Sequence, residues 1–110
     1  MGAALLMVRA ELADVADRAA FDRWYETEHL PEALEGFRAQ RAWRCWSEVD
    51  RSIHYAFYQF ADVEAAQSVI ASAGMRALIA EFDRAWGPRV RRTRDILQVV
   101  QSVPARGAQL

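Results

Sequence analysis

Hydrophobic positions recur along this chain with two periods, and the switches between them divide it into six elements. Residues 3–12 open with the apolar run Ala3-Ala4-Leu5-Leu6-Met7-Val8 and turn polar at Arg9 and Glu11, which predicts a short buried strand. Residues 14–17 supply a turn, with Asp17 as the expected N-cap of a helix. From residue 18 to residue 30 the period becomes helical. At roughly 100° per residue, Phe21, Trp24, Tyr25 and Glu28 share one face, and His29 sits one turn above Tyr25 at its edge. Pro31 has no N–H to give the Thr27 carbonyl, so the helix is predicted to deviate between Thr27 and Pro31 and to stop at Gly36. Residues 37–49 read as a long strand. Phe37, Ala39, Trp43 and Cys45 point one way; Arg38, Gln40, Arg44 and Trp46 point the other. Asp50-Arg51-Ser52 makes a hairpin turn, and residues 53–60 return as the next strand. Asp62 caps a second helical region whose first stripe is Val63, Ala66, Val69 and Ile70. Gly74 interrupts it. Met75, Leu78, Ile79, Phe82 and Trp86 then repeat at i, i+3, i+4, i+7 and i+11 until Gly87-Pro88. A last strand is predicted over residues 95–103, and the chain beyond Pro104 is expected to fray.

Strand, helix, strand, strand, helix, strand is the order of the ferredoxin-like α+β arrangement, βαββαβ: a four-stranded antiparallel sheet with two helices on one face. At 110 residues the chain is expected to make one domain, residues 1–104, followed by a tail at 105–110. Leu5 and Met7 alternate with Leu6 and Val8, Tyr55 and Phe57 with Tyr58 and Phe60, and Ile96 and Val100 with Leu97 and Val99, so these strands are apolar on both faces. Two helices cover one face. A second copy of the sheet is the simplest cover for the other, which predicts a homodimer joined through the sheet faces.

Charge and composition narrow the function classes. A net charge of −1 gives no electrostatic reason to bind nucleic acid or an anionic membrane. The N-terminal apolar run is too short to span a bilayer and has no basic residue before it, so it reads as neither a membrane anchor nor a signal peptide. All the basic residues are arginines, which excludes Schiff-base chemistry on a lysine. Cys45 is the single cysteine, so no intramolecular disulfide forms, and a cytoplasmic location is the simplest expectation. Arg89, Arg91, Arg92 and Arg94 read as a solvated connector.

The chemistry-bearing candidates gather on the first helix. Aromatic rings followed by a carboxylate and an imidazole suit the wall of a small-molecule pocket better than a core alone. His29 is the candidate acid or base, expected at the pocket rim where it adds little packing, because an ordinary imidazole titrates near neutral pH. Glu28 is its candidate orienting partner or, more plainly, the partner of an arginine from the second strand. Tyr25 or Tyr58 could donate to a developing oxyanion. Phe21, Trp24, Tyr58, Phe82 and Trp86 are the expected ligand-binding rings, with Trp43 or Trp46 nearer the dimer interface. His54, beside the hairpin turn, is expected to face solvent. No helical His-x-x-x-His pair or Cys–His cluster calls for a metal, and no glycine-rich phosphate loop is present, so no cofactor is expected.

Phe21, Trp24-Tyr25, Glu28-His29-Leu30-Pro31, Gly36-Phe37, the aromatic hairpin of residues 53–60 and Trp86-Gly87 together resemble the EthD-like family of the dimeric α/β-barrel superfamily. The resemblance spans about residues 5–103 and implies a pocket between helices and sheet in each subunit. It also implies cofactor-independent chemistry such as isomerisation, cyclisation, dehydration or oxygenation of an apolar, aromatic or polyketide-like molecule, with a histidine at the His29 position as acid or base. The alternative is a non-catalytic ligand-binding or assembly dimer.

Overall fold

The computed structural model describes residues 2–107. Strand β1 (Ala4–Leu12) leads through a short 3-10 turn into α1 (Arg18–Trp24), a π-helical segment (Tyr25–His29) and α2 (Leu30–Gly36). Strands β2 (Arg41–Trp46) and β3 (Ile53–Phe60) form a hairpin. Helices α3 (Val63–Ile70) and α4 (Ala73–Ala85) follow, and β4 (Val90–Gln98) closes the fold. The sheet is antiparallel in the order β2-β3-β1-β4, as the βαββαβ arrangement requires.

Alternation decides what each strand buries. Ala4, Leu6, Val8, Ala10 and Leu12 of β1 lie under the helices, as do His54, Ala56, Tyr58 and Phe60 of β3. The opposite face carries Leu5, Met7, Trp43, Tyr55, Phe57 and Leu97, all at least partly exposed, with Trp43 stacked on Phe57. Trp43 therefore lies on the outer face. Trp46 does not: it turns under the helices against Phe21 and His54.

Two strands, β2 and β4, differ from the pattern at both ends. β2 begins at Arg41 rather than residue 37, because Phe37 is still tied to α2 through its N–H to the Ala33 carbonyl. The chain then reverses at Arg38, whose φ of 54° puts it, and not Gly36, in the left-handed region. β2 ends at Trp46 because the Ser47 hydroxyl accepts from the N–H groups of Val49 and Asp50 and bends the backbone away. β4 runs over Val90–Gln98 rather than 95–103: β1 offers nine residues as a template, and β4 pairs along all of them, from Leu12 opposite Val90 to Ala4 opposite Gln98. Arg91, Arg92 and Arg94 are thus strand, not connector, whereas Arg89 lies in the 3-10 turn that precedes it. Residues 105–107 are exposed and outside any strand or helix; the rest of the expected tail, 108–110, lies outside the described residues.

Capping also moved. Asp14 accepts from the Ala16 N–H, whereas Asp17 makes no side-chain cap. Asp62 caps α3 as expected, and Ser72 caps α4. Gly74 therefore lies in the first turn of α4, where a Cβ would come 2.7 Å from the Gly36 carbonyl oxygen. The two glycines let α2 and α4 approach.

Candidate functional site

The first helix carries one extra residue, in a π-helical segment at Tyr25–His29. Its buried side chains, Phe21, Tyr25, His29 and Ala33, recur every four residues. A regular helix would rotate such a stripe by about 40° per step and carry its end off the core. A π turn absorbs the drift. The Leu30 N–H bonds to the Tyr25 carbonyl five residues back, and Thr27 Oγ1 donates to the Arg23 carbonyl at 2.9 Å. Pro31 sits in the first turn of the next segment. The predicted irregularity is present, beginning at Tyr25 rather than Thr27.

That extra residue corrects the expected face. His29 and Tyr25 turn inward, but Glu28 turns outward and is exposed, with no ion pair or side-chain hydrogen bond among the described residues. The arginine of the second strand is taken instead by Asp22. Arg44 Nη1 donates to Asp22 Oδ1 at 2.8 Å, and Trp46 Nε1 donates to the same oxygen at 2.7 Å. The Trp46 and Arg44 hydrogen bonds together hold the Asp22 carboxyl below its usual range.

His29 is not at a rim. It is 6% exposed, stacked on Trp24 at 4.5 Å between ring centroids, with Tyr25 and Phe82 edge-on. Its Nδ1 is buried without a partner among the described residues. Burial, reinforced by nearby Arg92 and opposed by Glu81, pushes its pKa down to about 4, so the ring is neutral at pH 7.

His54, expected in solvent, is fully buried. The register places it under the helices, between Ala10 of β1 and Trp46 of β2. It packs against Phe21 and Tyr25. Arg44 Nη1 lies 3.3 Å from its Nε2. A guanidinium only donates, so Nε2 accepts and the neutral ring carries its proton on Nδ1. Burial, with Arg44 adding to it, pushes this histidine down to about 3.

A small cavity lies between sheet and helices. Tyr25, His29, Tyr58, Arg92 and Arg94 supply its polar wall, and Met75, Leu78, Ile79 and Phe82 of the α4 region much of the apolar one. Its free volume of about 20 Å³ is little more than one water requires. Burial lifts the Tyr25 hydroxyl to about 12 and the Tyr58 hydroxyl well above its ordinary value, so both remain phenols and donors at neutral pH. Of the residues singled out from sequence, Tyr25, His29, Tyr58 and Phe82 meet on this wall. Phe21 is instead a core hub touching Trp24, Trp46, His54 and Trp86. Trp24 backs His29, and Trp86 packs behind Phe21. Arg92 and Arg94 escaped the sequence pattern. Their two-residue spacing on a strand was the signal that puts both on one face.

No family model matches the chain, and no curated protein matches it. Solved structures do. HapK from Hahella chejuensis is 14% identical with a TM-score of 0.67, covering 93% of this chain and 97% of its own. SnoaB from Streptomyces nogalater, a cofactor-independent oxygenase, is 12% identical with a TM-score of 0.64 over 94% of this chain and 99% of its own. An EthD family protein from Bacillus halodurans is 16% identical with a TM-score of 0.66 over 91% of this chain and 100% of its own. Matches this distant in sequence and this complete in backbone establish architecture: the chain has the ferredoxin-like α+β fold of the dimeric α/β-barrel proteins.

Proposed function

We propose that this protein is a cofactor-independent enzyme acting on a small apolar molecule, aromatic or polyketide-like, in the cavity beside His29. Residues 1–104 form its single domain, and it works as a homodimer through the outer sheet faces. The observation that carries the reading is His29: a neutral imidazole, almost fully buried, whose Nδ1 has no partner among the described residues, and which lines a cavity together with Tyr25 and Tyr58. Buried polar atoms normally have partners, and one left open beside a cavity suits a ligand. His29 accepts a proton from an acidic C–H or O–H of the bound molecule. The electron pair stays on the substrate as an enolate or phenolate, and Tyr25 or Tyr58 donates a hydrogen bond to that oxygen. Such a step opens isomerisation, cyclisation, dehydration and oxygenation alike. That SnoaB is a cofactor-independent oxygenase supports chemistry of this kind.

The second reading, a non-catalytic ligand-binding dimer, is favoured by the tightness of the cavity, which admits a ligand only when the α4 side chains move. A thermal-shift ligand screen followed by NMR of the two histidines tests the reading: a hit should perturb His29 and leave His54 unmoved. With a substrate in hand, His29→Gln should lower turnover on the order of 100-fold. Full turnover in that variant would rule out His29 as the base.

A further inference from the structure

The cavity is electrostatically one-sided. Arg92 and Arg94 reach it from β4, and no carboxylate stands on its wall among the described residues. Arg92 Nη2 donates to Asp83 Oδ1 at 2.6 Å, from β4 to α4. The two partners are held unequally: the Arg92 side chain is 13% exposed and that of Asp83 61%. The guanidinium also lies over the Phe82 ring, its Cζ 3.9 Å from the centroid. Arg92 is therefore anchored, whereas Asp83 can rotate into water and lose only a half-solvated ion pair. Arg94 has no ion pair or side-chain hydrogen bond among the described residues. His29, whose Nδ1 has no partner among the described residues, lines the same cavity.

We propose that the pocket selects anions, specifically an apolar ring system bearing an acidic oxygen such as a carboxylate or enolate, and that Arg92 and Arg94 bind that oxygen while Asp83 acts as a displaceable counter-ion. This rests on the cavity being the ligand site. The planar, two-donor edge of a guanidinium matches a carboxylate better than any neutral group. Asp83 holds one donor of that edge on Arg92, Nη2, and an incoming anion competes with it for that donor. The exchange leaves no buried charge unpaired, which is the main cost of placing an anion against a half-buried arginine.

The test uses the full-length chain and two probes of one shape, 2-naphthoate and the uncharged 2-naphthamide, with affinities and His29 shifts followed by NMR. Naphthoate should bind roughly tenfold or more tightly than naphthamide, as expected for a charge-assisted contact. Asp83→Asn should tighten naphthoate binding and leave naphthamide unchanged, because it removes only the competitor. Arg92→Gln should abolish the preference. Arg94→Gln, at an exposed position, should reduce it, and supplies the same readout if Arg92→Gln does not fold. Equal binding of the two probes near His29 would overturn anion selection while the pocket reading stands. Binding of neither probe would overturn both. Naphthoate affinity indifferent to Asp83→Asn would overturn the exchange.

Discussion

Lowering the pH should unfold this protein unusually early, because two histidines are buried neutral. The unfolded chain binds a proton at each near pH 6.5, whereas the native pKa values are about 4 for His29 and about 3 for His54. Both native values are depressed, so the unfolded state holds more protons below pH 6.5. Their contribution is fully present above pH 6.5 and is lost as pH falls toward the native values. Integrating this difference from pH 8 to pH 5 gives about 2 kcal/mol per histidine and about 4 kcal/mol together. That is a large share of the roughly 5–15 kcal/mol that holds a domain folded. Asp22 acts in the same direction but only below its ordinary value of 3.8, outside this window. Urea unfolding at fixed protein concentration, followed by tryptophan fluorescence at pH 8, 7, 6 and 5, measures the loss directly. His54→Gln keeps an acceptor for Arg44 but cannot titrate. It should start less stable and lose only about 2 kcal/mol over the same range. A wild-type stability that is flat from pH 8 to pH 5 would refute the reasoning, since it would mean that both rings take up protons without unfolding.

Gly74→Ala should destabilise by about 1–3 kcal/mol in urea, because its Cβ would meet the Gly36 carbonyl oxygen at 2.7 Å. In a helix without that neighbour the same change would stabilise by about 1 kcal/mol, so the sign alone decides. Gly36→Ala should cost less, since its Cβ meets only the Leu78 side chain, at 3.2 Å. The wild-type chain should sediment as a dimer at micromolar concentration, burying more than about 1,200 Å². Met7→Asp or Phe57→Asp on the outer sheet face should release folded monomers, and a wild-type monomer would refute the sheet-face dimer.

The order of elements was legible because it depends on periods local to each segment. Four-residue windows of β1 and β3 already separate Leu6 and Tyr58 from Leu5 and Phe57. Pro31 announced an irregular helix by chemistry alone, since a missing N–H needs no tertiary partner. Three features needed the folded molecule. Glu28 leaves the pocket face because the π turn re-phases the helix so that Phe21, Tyr25, His29 and Ala33 all reach one core, a demand set by residues far away in sequence. His54 is buried because the register with Ala10 and Trp46 carries it under the helices, and nothing in its own neighbourhood records that register. Arg92 and Arg94 face the cavity because β1 supplies the strand they pair with and Asp83 and Phe82 supply the charge and the ring that receive one of them. Local spacing fixes which way neighbouring side chains diverge; only the long-range pairing of strands and helices decides what each of them meets.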